Sequence, residues 1–311
     1  MNIVPIVFAF DNNLIMPACV CISSLLMNAK SDTFYDIYIL SSSKDDLKKD
    51  EIRRLHNYYD NFNLHFRTVD DTFDKSFQIR GITPATYYRL MIPEYVPEYE
   101  KIIYSDVDVI FREDLYQWYS ETVFNNEYVA GVNSLSHFNP STRKYYTKEI
   151  GIDPSLVIYA GNIILNSRKI IEDSILLEFK EYAYKKYRFQ DLDILNIVCQ
   201  NRIKYISPGF CLTTDIMQYA HDDDKQIYKM WTADQVCHAL ERGIVHYNGQ
   251  KPWIGACVNF DIWWEYYRKS PFFDSDFYYH FFDNMLNEHD RLSLLKRIKI
   301  LARYFVYGRR K

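Results

Sequence analysis

Short apolar runs recur along the chain, each followed by a polar or amphipathic stretch with helical spacing, and this alternation constrains the fold more than any other feature. Residues 3–10 (IVPIVFAF) read as a buried first strand, with helical periodicity over 16–28. A second strand is predicted over 34–42. Ser43 then offers an N-cap, with Asp46 three residues on, to a charged helix over 44–60. Further strands are predicted at 62–70, 101–111, 128–133, 162–166, 203–208 and 243–248, with a short helix over 83–92 and a long one over 167–187. Such alternation predicts an α/β fold built on a mainly parallel, doubly wound sheet. Ligands of these sheets bind in the crevice beyond the carboxyl ends of the strands.

Three sets of polar residues, far apart in sequence, fall at that position. Asp11 and Asn13 follow the first strand, Asp106 and Asp108 end the central one, and His246 ends a late one. In a strand Asp106 and Asp108 project from one face, because the side-chain period is two, and they repel unless a cation lies between them. D-x-D pairs also occur at 191/193, 222/224 and 274/276, but only 106/108 follows a clear apolar strand. Carboxylate oxygens suit Mg²⁺ or Mn²⁺, which bridge carboxylates to substrate phosphates. An imidazole ligand moves the preference toward Mn²⁺, with Mg²⁺ as the alternative. In HYNGQKPW (246–253), Gly249 allows close backbone approach and Lys251 adds a cation, which together describe a diphosphate clamp.

Composition narrows the class. A net charge of −4 points away from nucleic acid. The six cysteines have no C-x-x-C spacing, so neither a zinc site nor a disulfide framework is expected, and a reducing, cytoplasmic location is. The first residues lack a basic region and carry Pro5 within a short apolar run, so they are read as a strand rather than a signal peptide. No later segment is read as a membrane span. Residues 1–258 are expected to form the main domain and 259–311 an aromatic-rich, then basic, helical extension. On a helix, Leu294, Ile298, Leu301 and Phe305 form an apolar stripe opposite Lys296, Lys299 and Arg303, within a segment holding eight Lys or Arg from Arg291 to Lys311. That pattern fits attachment to an anionic membrane surface, here the inner face of the cytoplasmic membrane, with a surface helix docked on its own domain as the alternative.

Six segments in order, IVFAFDNN (6–13), TYYRLMIPE (86–94), YSDVDVI (104–110), AGNIILN (160–166), FQDLDILN (189–196) and HYNGQKPW, resemble the motifs of glycosyltransferase family 8. These are retaining, metal-dependent GT-A enzymes that include lipopolysaccharide galactosyl- and glucosyltransferases and glycogenin-like proteins. The resemblance implies a Rossmann-like, mainly parallel mixed sheet flanked by helices. It implies that Asp106, Asp108 and His246 hold Mn²⁺, and that Ala9, Asp11 and Asn13 contact uracil and ribose. Arg89, Val107, Ala160 and Gly161 would line the donor site, Gly249 and Lys251 would hold the diphosphate, and Asp191 would act beside the donor sugar as the catalytic carboxylate. The implied reaction moves glucose or galactose from a UDP-sugar to a hydroxyl of a cell-surface glycan or glycolipid acceptor. A metal-dependent UDP-sugar hydrolase and an inactive sugar-nucleotide-binding protein are the alternatives, and the oligomeric state is left open. The chain departs from the family pattern at Tyr159, often Asn, at Leu14, commonly aromatic, and in a Gly249-to-Lys251 interval one residue shorter than in some relatives. It departs again at Leu192, where galactosyltransferase-like members carry a Gln considered as a nucleophile, so front-face attack is the expected route.

Overall fold

A computed structural model of the chain describes residues 1–44, 46–70, 73, 76, 84–221, 225–290 and 292–307. Ten strands are described: β1 Asn2–Ala9, β2 Thr33–Ser42, β3 Phe62–Val69, β4 Ile102–Ser105, β5 Val109–Ile110, β6 Val129–Asn133, β7 Ile158–Leu165, β8 Ile203–Tyr205, β9 Leu212–Thr213 and β10 Val245–His246. Seven form one sheet in the order β3-β2-β1-β4-β7-β6-β8, and β5-β10-β9 form a second. In the large sheet β3, β2, β1 and β4 run parallel, β7 runs antiparallel to both β4 and β6, and β8 is parallel to β6. Residues 4–8 of β1 are buried throughout, as expected of a strand covered on both faces. The chain winds from β1 to β2 on one side and reaches β4 on the other. The crevice beyond β1 and β4 is therefore the topological switch point where such sheets bind ligands.

The predicted strand over 101–111 is two strands in two sheets. β4 ends at Ser105 and β5 opens at Val109, so residues 106–108 form the turn between them and not a strand face. That turn is held at both ends: the Asp106 N–H donates to Gly161 O at 2.7 Å and the Tyr247 N–H to Asp108 O at 2.9 Å. The predicted strands at 203–208 and 243–248 shorten to Ile203–Tyr205 and Val245–His246, while 162–166 lengthens to Ile158–Leu165.

The helices depart from expectation at local competing bonds. Ser43 caps no helix; its N–H donates to Val69 O at 2.9 Å and extends the β2–β3 ladder. Helical structure over 44–60 is confined to Lys49–Arg53 and a 3₁₀ turn at Arg54–Asn57. The expected helix over 83–92 is a 3₁₀ segment, Pro84–Met91, followed by one α-turn at Ile92–Tyr95, and residue 83 lies outside the described residues. The long helix over 167–187 is two, Ser167–Glu172 and Ile175–Tyr182, separated by Ser174 in the left-handed region at φ 59°. At the break the Asp173 carboxylate accepts from Lys169 Nζ, an i,i+4 pair that closes the first helix, and from Tyr128 Oη, both at 2.7 Å.

The helix Phe260–Lys269 docks on the main core through Trp263, Trp264 and Tyr267, each about 1 % exposed or less. Trp264 also meets the rings of Phe277, Phe281 and Phe282 from the helix Ser275–Asp290. An indole so enclosed stabilises the junction by roughly 3–5 kcal/mol. The last described helix, Leu294–Tyr307, leaves Leu294, Leu295, Ile298, Leu301 and Phe305 more than half exposed. No helix among the described residues is long and apolar enough to cross a membrane.

Candidate active site

Among the described residues, Asp106, Asp108 and His246 are the one group that could hold a metal ion, each with a ligand atom within 4.8 Å of the others. The turn between the sheets supplies the carboxylates and β10 the imidazole. His246 Nε2 lies 3.3 Å from Asp108 Oδ1 and 3.6 Å from Asp106 Oδ2, while Nδ1 faces Cys211 Sγ at 3.7 Å. Burial opposes a charge on His246, but Asp108 outweighs it and raises the imidazole to about 10. Asp108 is lowered: burial works against its charge, and Lys251 and His246 more than offset it. The carboxylates therefore favour positive charge at the imidazole edge, whether a proton or a cation.

Gly161 makes room for this cluster. A Cβ on it would lie 2.1 Å from His246 Cε1, 2.6 Å from His246 Nδ1 and 2.9 Å from Asp106 Oδ2. The donor set, two carboxylates and one imidazole on a backbone cradle that no side chain can share, fits a divalent cation with open coordination positions.

Arg89 organises the rest of the wall. It is 6 % exposed, its Nη2 donates to Asp106 Oδ1 at 2.8 Å, and its Nε pairs with Asp191 Oδ2 at 3.0 Å. Nη1 donates to Ala160 O at 2.6 Å and Nε to Thr86 O at 3.0 Å. Tyr104 Oη also donates to Asp106 Oδ1, at 2.6 Å, and its ring lies under the guanidinium at 4.5 Å. Asp191 opens the helix Asp191–Val198 and accepts from Thr86 Oγ1 at 2.6 Å. Its carboxyl is raised above the ordinary value because burial outweighs the attraction of Arg89 and the Thr86 bond.

Asp193, from the same D-x-D, has a different task. It is fully buried and accepts from Tyr145 Oη at 2.7 Å, Tyr146 Oη at 2.8 Å and the Phe189 N–H at 2.8 Å. Asp193→Ala strands these three donors and is expected to destabilise the fold by about 3–5 kcal/mol, read by urea denaturation.

Two cavities meet at the cluster. One, of about 410 Å³, is lined by Ala9, Asp11, Asn13, Leu14, Val107 and Trp253 among others. The other, of about 490 Å³, is lined by Ala160, Gly161, Gln190, Asp191 and His246, and reaches Ser134, Asn139 and Asp215. Thr86, Arg89, Asp106, Asp108 and Lys251 line both. Lys251 Nζ donates to Tyr247 O at 2.6 Å and pairs with Asp108. The Asp11 carboxylate accepts from the Asn13 N–H at 2.9 Å and so shapes the loop after β1. Gly249 is exposed and lines neither cavity. The other expected site residues, from Ala9 to Lys251, line one cavity or both, whereas Asp193, Asp274 and Asp276 line neither and 222–224 lie outside the described residues. Sequence reasoning missed the roles of Thr86 and Tyr104, although Tyr104 stands two residues before Asp106, and it missed Asp215, which carries no motif.

The fold is that of the GT-A glycosyltransferases. It aligns with galactosyltransferase LgtC, solved in complex with donor and acceptor sugar analogues, at a TM-score of 0.68 and 23% identity over 86% of this chain and 96% of that one. An active-site mutant of LgtC aligns at 0.71. The bifunctional glycosyltransferase WbbM, in apo form, aligns at 0.69 and 21% identity over 92% of this chain, which spans 52% of WbbM. A Haemophilus influenzae protein with a provisional glycosyltransferase name is 25% identical over 86% of this chain and 84% of its own length. Human glycosyltransferase 8 domain-containing protein 2 is 22% identical over 61% of this chain and 60% of its own. The sequence profile of glycosyl transferase family 8 matches residues 5–257, and the chain belongs to that family.

Proposed function

We propose that the chain transfers a hexose, glucose or galactose, from a UDP-sugar to a hydroxyl of a surface glycan or glycolipid, with retention at the anomeric carbon. The observation that carries this reading is the Asp106–Asp108–His246 cluster standing where two cavities share a wall. A nucleoside diphosphate fits the cavity beside Ala9 and Asn13, and the hexose and acceptor the cavity beside Asp191. LgtC, solved with both a donor and an acceptor sugar analogue, supports two sugar sites on this fold.

Asp106, Asp108 and His246 would hold Mn²⁺ or Mg²⁺, which supplies Lewis-acid stabilisation to a departing diphosphate. Lys251 adds a positive charge on the same side, already aimed at Asp108. Arg89 holds Asp106 and Asp191 at fixed separation, so that metal ligand and sugar-side carboxylate move as one body. Leu192 offers no nucleophile, and Asp191 is engaged by Arg89 and Thr86. Front-face attack therefore fits best: the acceptor oxygen bonds the anomeric carbon, the carbon–oxygen bond to UDP breaks, and the hydroxyl proton passes to the leaving phosphate. Asp191 supports the positive charge that develops on the sugar. The exposed apolar residues of the helix Leu294–Tyr307, beside its Lys and Arg, support reading that last part of the 259–311 extension as attachment to an anionic membrane, while its first helix packs on the catalytic domain.

The test is thermal unfolding with UDP, UDP-glucose and UDP-galactose, each with Mn²⁺, Mg²⁺ or EDTA. A metal-dependent rise is expected for the sugar nucleotides, and Asp108→Asn should abolish it. No rise with any of them overturns the reading.

A further inference from the structure

The larger cavity has one cationic side chain in its wall, Arg188, that joins no ion pair among the described residues. Arg89 is committed to Asp106 and Asp191, and Lys251 to Asp108. Asp215, the remaining carboxylate of that wall, accepts from Tyr159 Oη at 2.5 Å. Arg188 lines the larger cavity and not the smaller one. Of its side-chain nitrogens, Nη1 donates to Ser141 Oγ at 3.2 Å. Nε and Nη2 have no partner among the described residues and are not shut off from solvent, so a ligand can reach them.

The fold fixes where this charge stands. The Arg188 N–H donates to Tyr145 Oη at 3.0 Å, and the neighbouring Phe189 N–H to Asp193 Oδ2 at 2.8 Å. The guanidinium carbon lies 5.0 Å from the centroid of the Phe189 ring and 5.8 Å from that of Tyr145. Phe189 lines the larger cavity, and Ser141 stands between Asn139 and Thr142, which line it too. The cation is therefore held at the cavity wall. Asp193 registers its charge, but both oxygens of that buried carboxylate are already bonded to Tyr145 and Tyr146.

A guanidinium offers donors alone, in a planar fork that matches the two oxygens of a carboxylate or phosphate. Asn139 Oδ1 accepts from the Ser141 and Thr142 N–H groups at 2.9 and 3.2 Å, which leaves its amide nitrogen as a further donor on the same wall. The proposed donor hexose is neutral, and its diphosphate belongs beside Lys251. Resting on that proposed transfer, we infer that Arg188 is a specificity-determining residue for an acceptor sugar that carries an oxyanion. A uronic acid and a sugar phosphate are the two sources of that group.

Arg188→Gln removes the charge and keeps most of the side chain, while Arg188→Lys keeps the charge without the fork. Ligand-observed NMR titrations of the Mg²⁺–UDP complexes, in phosphate-free buffer, compare methyl glucoside and methyl galactoside with their uronic acids and phosphate esters. The wild type is expected to bind an anionic form at least about tenfold more tightly than the neutral glycoside. Preference for the uronic acid names a carboxylate, and preference for the ester a phosphate. Arg188→Gln should erase the preference and leave the neutral glycoside unaffected, and Arg188→Lys should recover part of it. No preference in the wild type, binding of neither form included, overturns the inference. So does a preference that survives in Arg188→Gln, because the anion then rests on another cation. A fall of about tenfold in the UDP affinity of Arg188→Gln overturns it too, since Arg188 then serves the nucleotide. A wild type that binds no UDP at all instead removes the transfer reading on which the inference rests.

Discussion

Gly161→Ala is expected to lower the proposed transfer by at least about 100-fold, because displacement of a positioned group by an ångström is enough to do so. The added methyl would meet His246 Cε1 at 2.1 Å and Asp106 Oδ2 at 2.9 Å, both far inside van der Waals contact. The β7 backbone cannot yield easily: Asn162 flanks it, accepting from Ser105 Oγ at 2.7 Å and donating to Phe210 O at 3.0 Å. The imidazole must swing instead, and with it goes one of the three proposed ligand atoms. The loss should therefore appear as weaker Mn²⁺ binding by electron paramagnetic resonance, with the circular dichroism spectrum retained. Unchanged Mn²⁺ affinity would show that His246 does not ligate.

Arg89→Met carries the second large effect, on activity and stability together. It leaves Asp106 and the nearly buried Asp191 without their shared cation, and breaking a buried pair in this way costs about 3–5 kcal/mol. Burial already raises the Asp191 carboxyl and Arg89 opposes that, so loss of Arg89 raises it further and weakens its support for charge on the sugar. Arg89→Lys should recover part of the stability and little of the turnover. One ammonium cannot span Asp106, Asp191 and the Ala160 and Thr86 carbonyls in the way a planar guanidinium does. Guanidine melts and steady-state rates on the two variants separate the effects; equal activity in Arg89→Lys and wild type would reduce Arg89 to a structural cation.

The members of the candidate site were legible because they differ in residue type from the apolar runs they follow. Asp106, Asp108, His246 and Lys251 stand out as charged or ligating groups at the ends of apolar runs, and no pairing information is needed to see them. What separates them in space was not legible. The run from Lys101 to Phe111 keeps an apolar alternation straight through the turn, and only pairing of Val109 and Ile110 with a segment near 245 turns one strand into two. The helix break at Ser174 is likewise silent, since a single left-handed residue leaves the periodicity intact. Asp193 shows the opposite failure: its spacing resembles a ligand pair, yet adjacent tyrosines, Tyr145 and Tyr146, claim it for the fold. Asp215 lies in TTDIMQ, where nothing local distinguishes it from an ordinary helix-opening acid.

The turn at 106–108 is a seam between two separately bonded ladders, with Asp106 anchored to β7 and His246 carried by the small sheet. A cation held by the proposed ligands would fasten the ladders together as a rivet fastens plates. Its binding energy would then count as cohesion of the whole domain, about 2.7 kcal/mol at a hundredfold excess over the dissociation constant. Readiness for reaction and resistance to unfolding thus draw on the same contact.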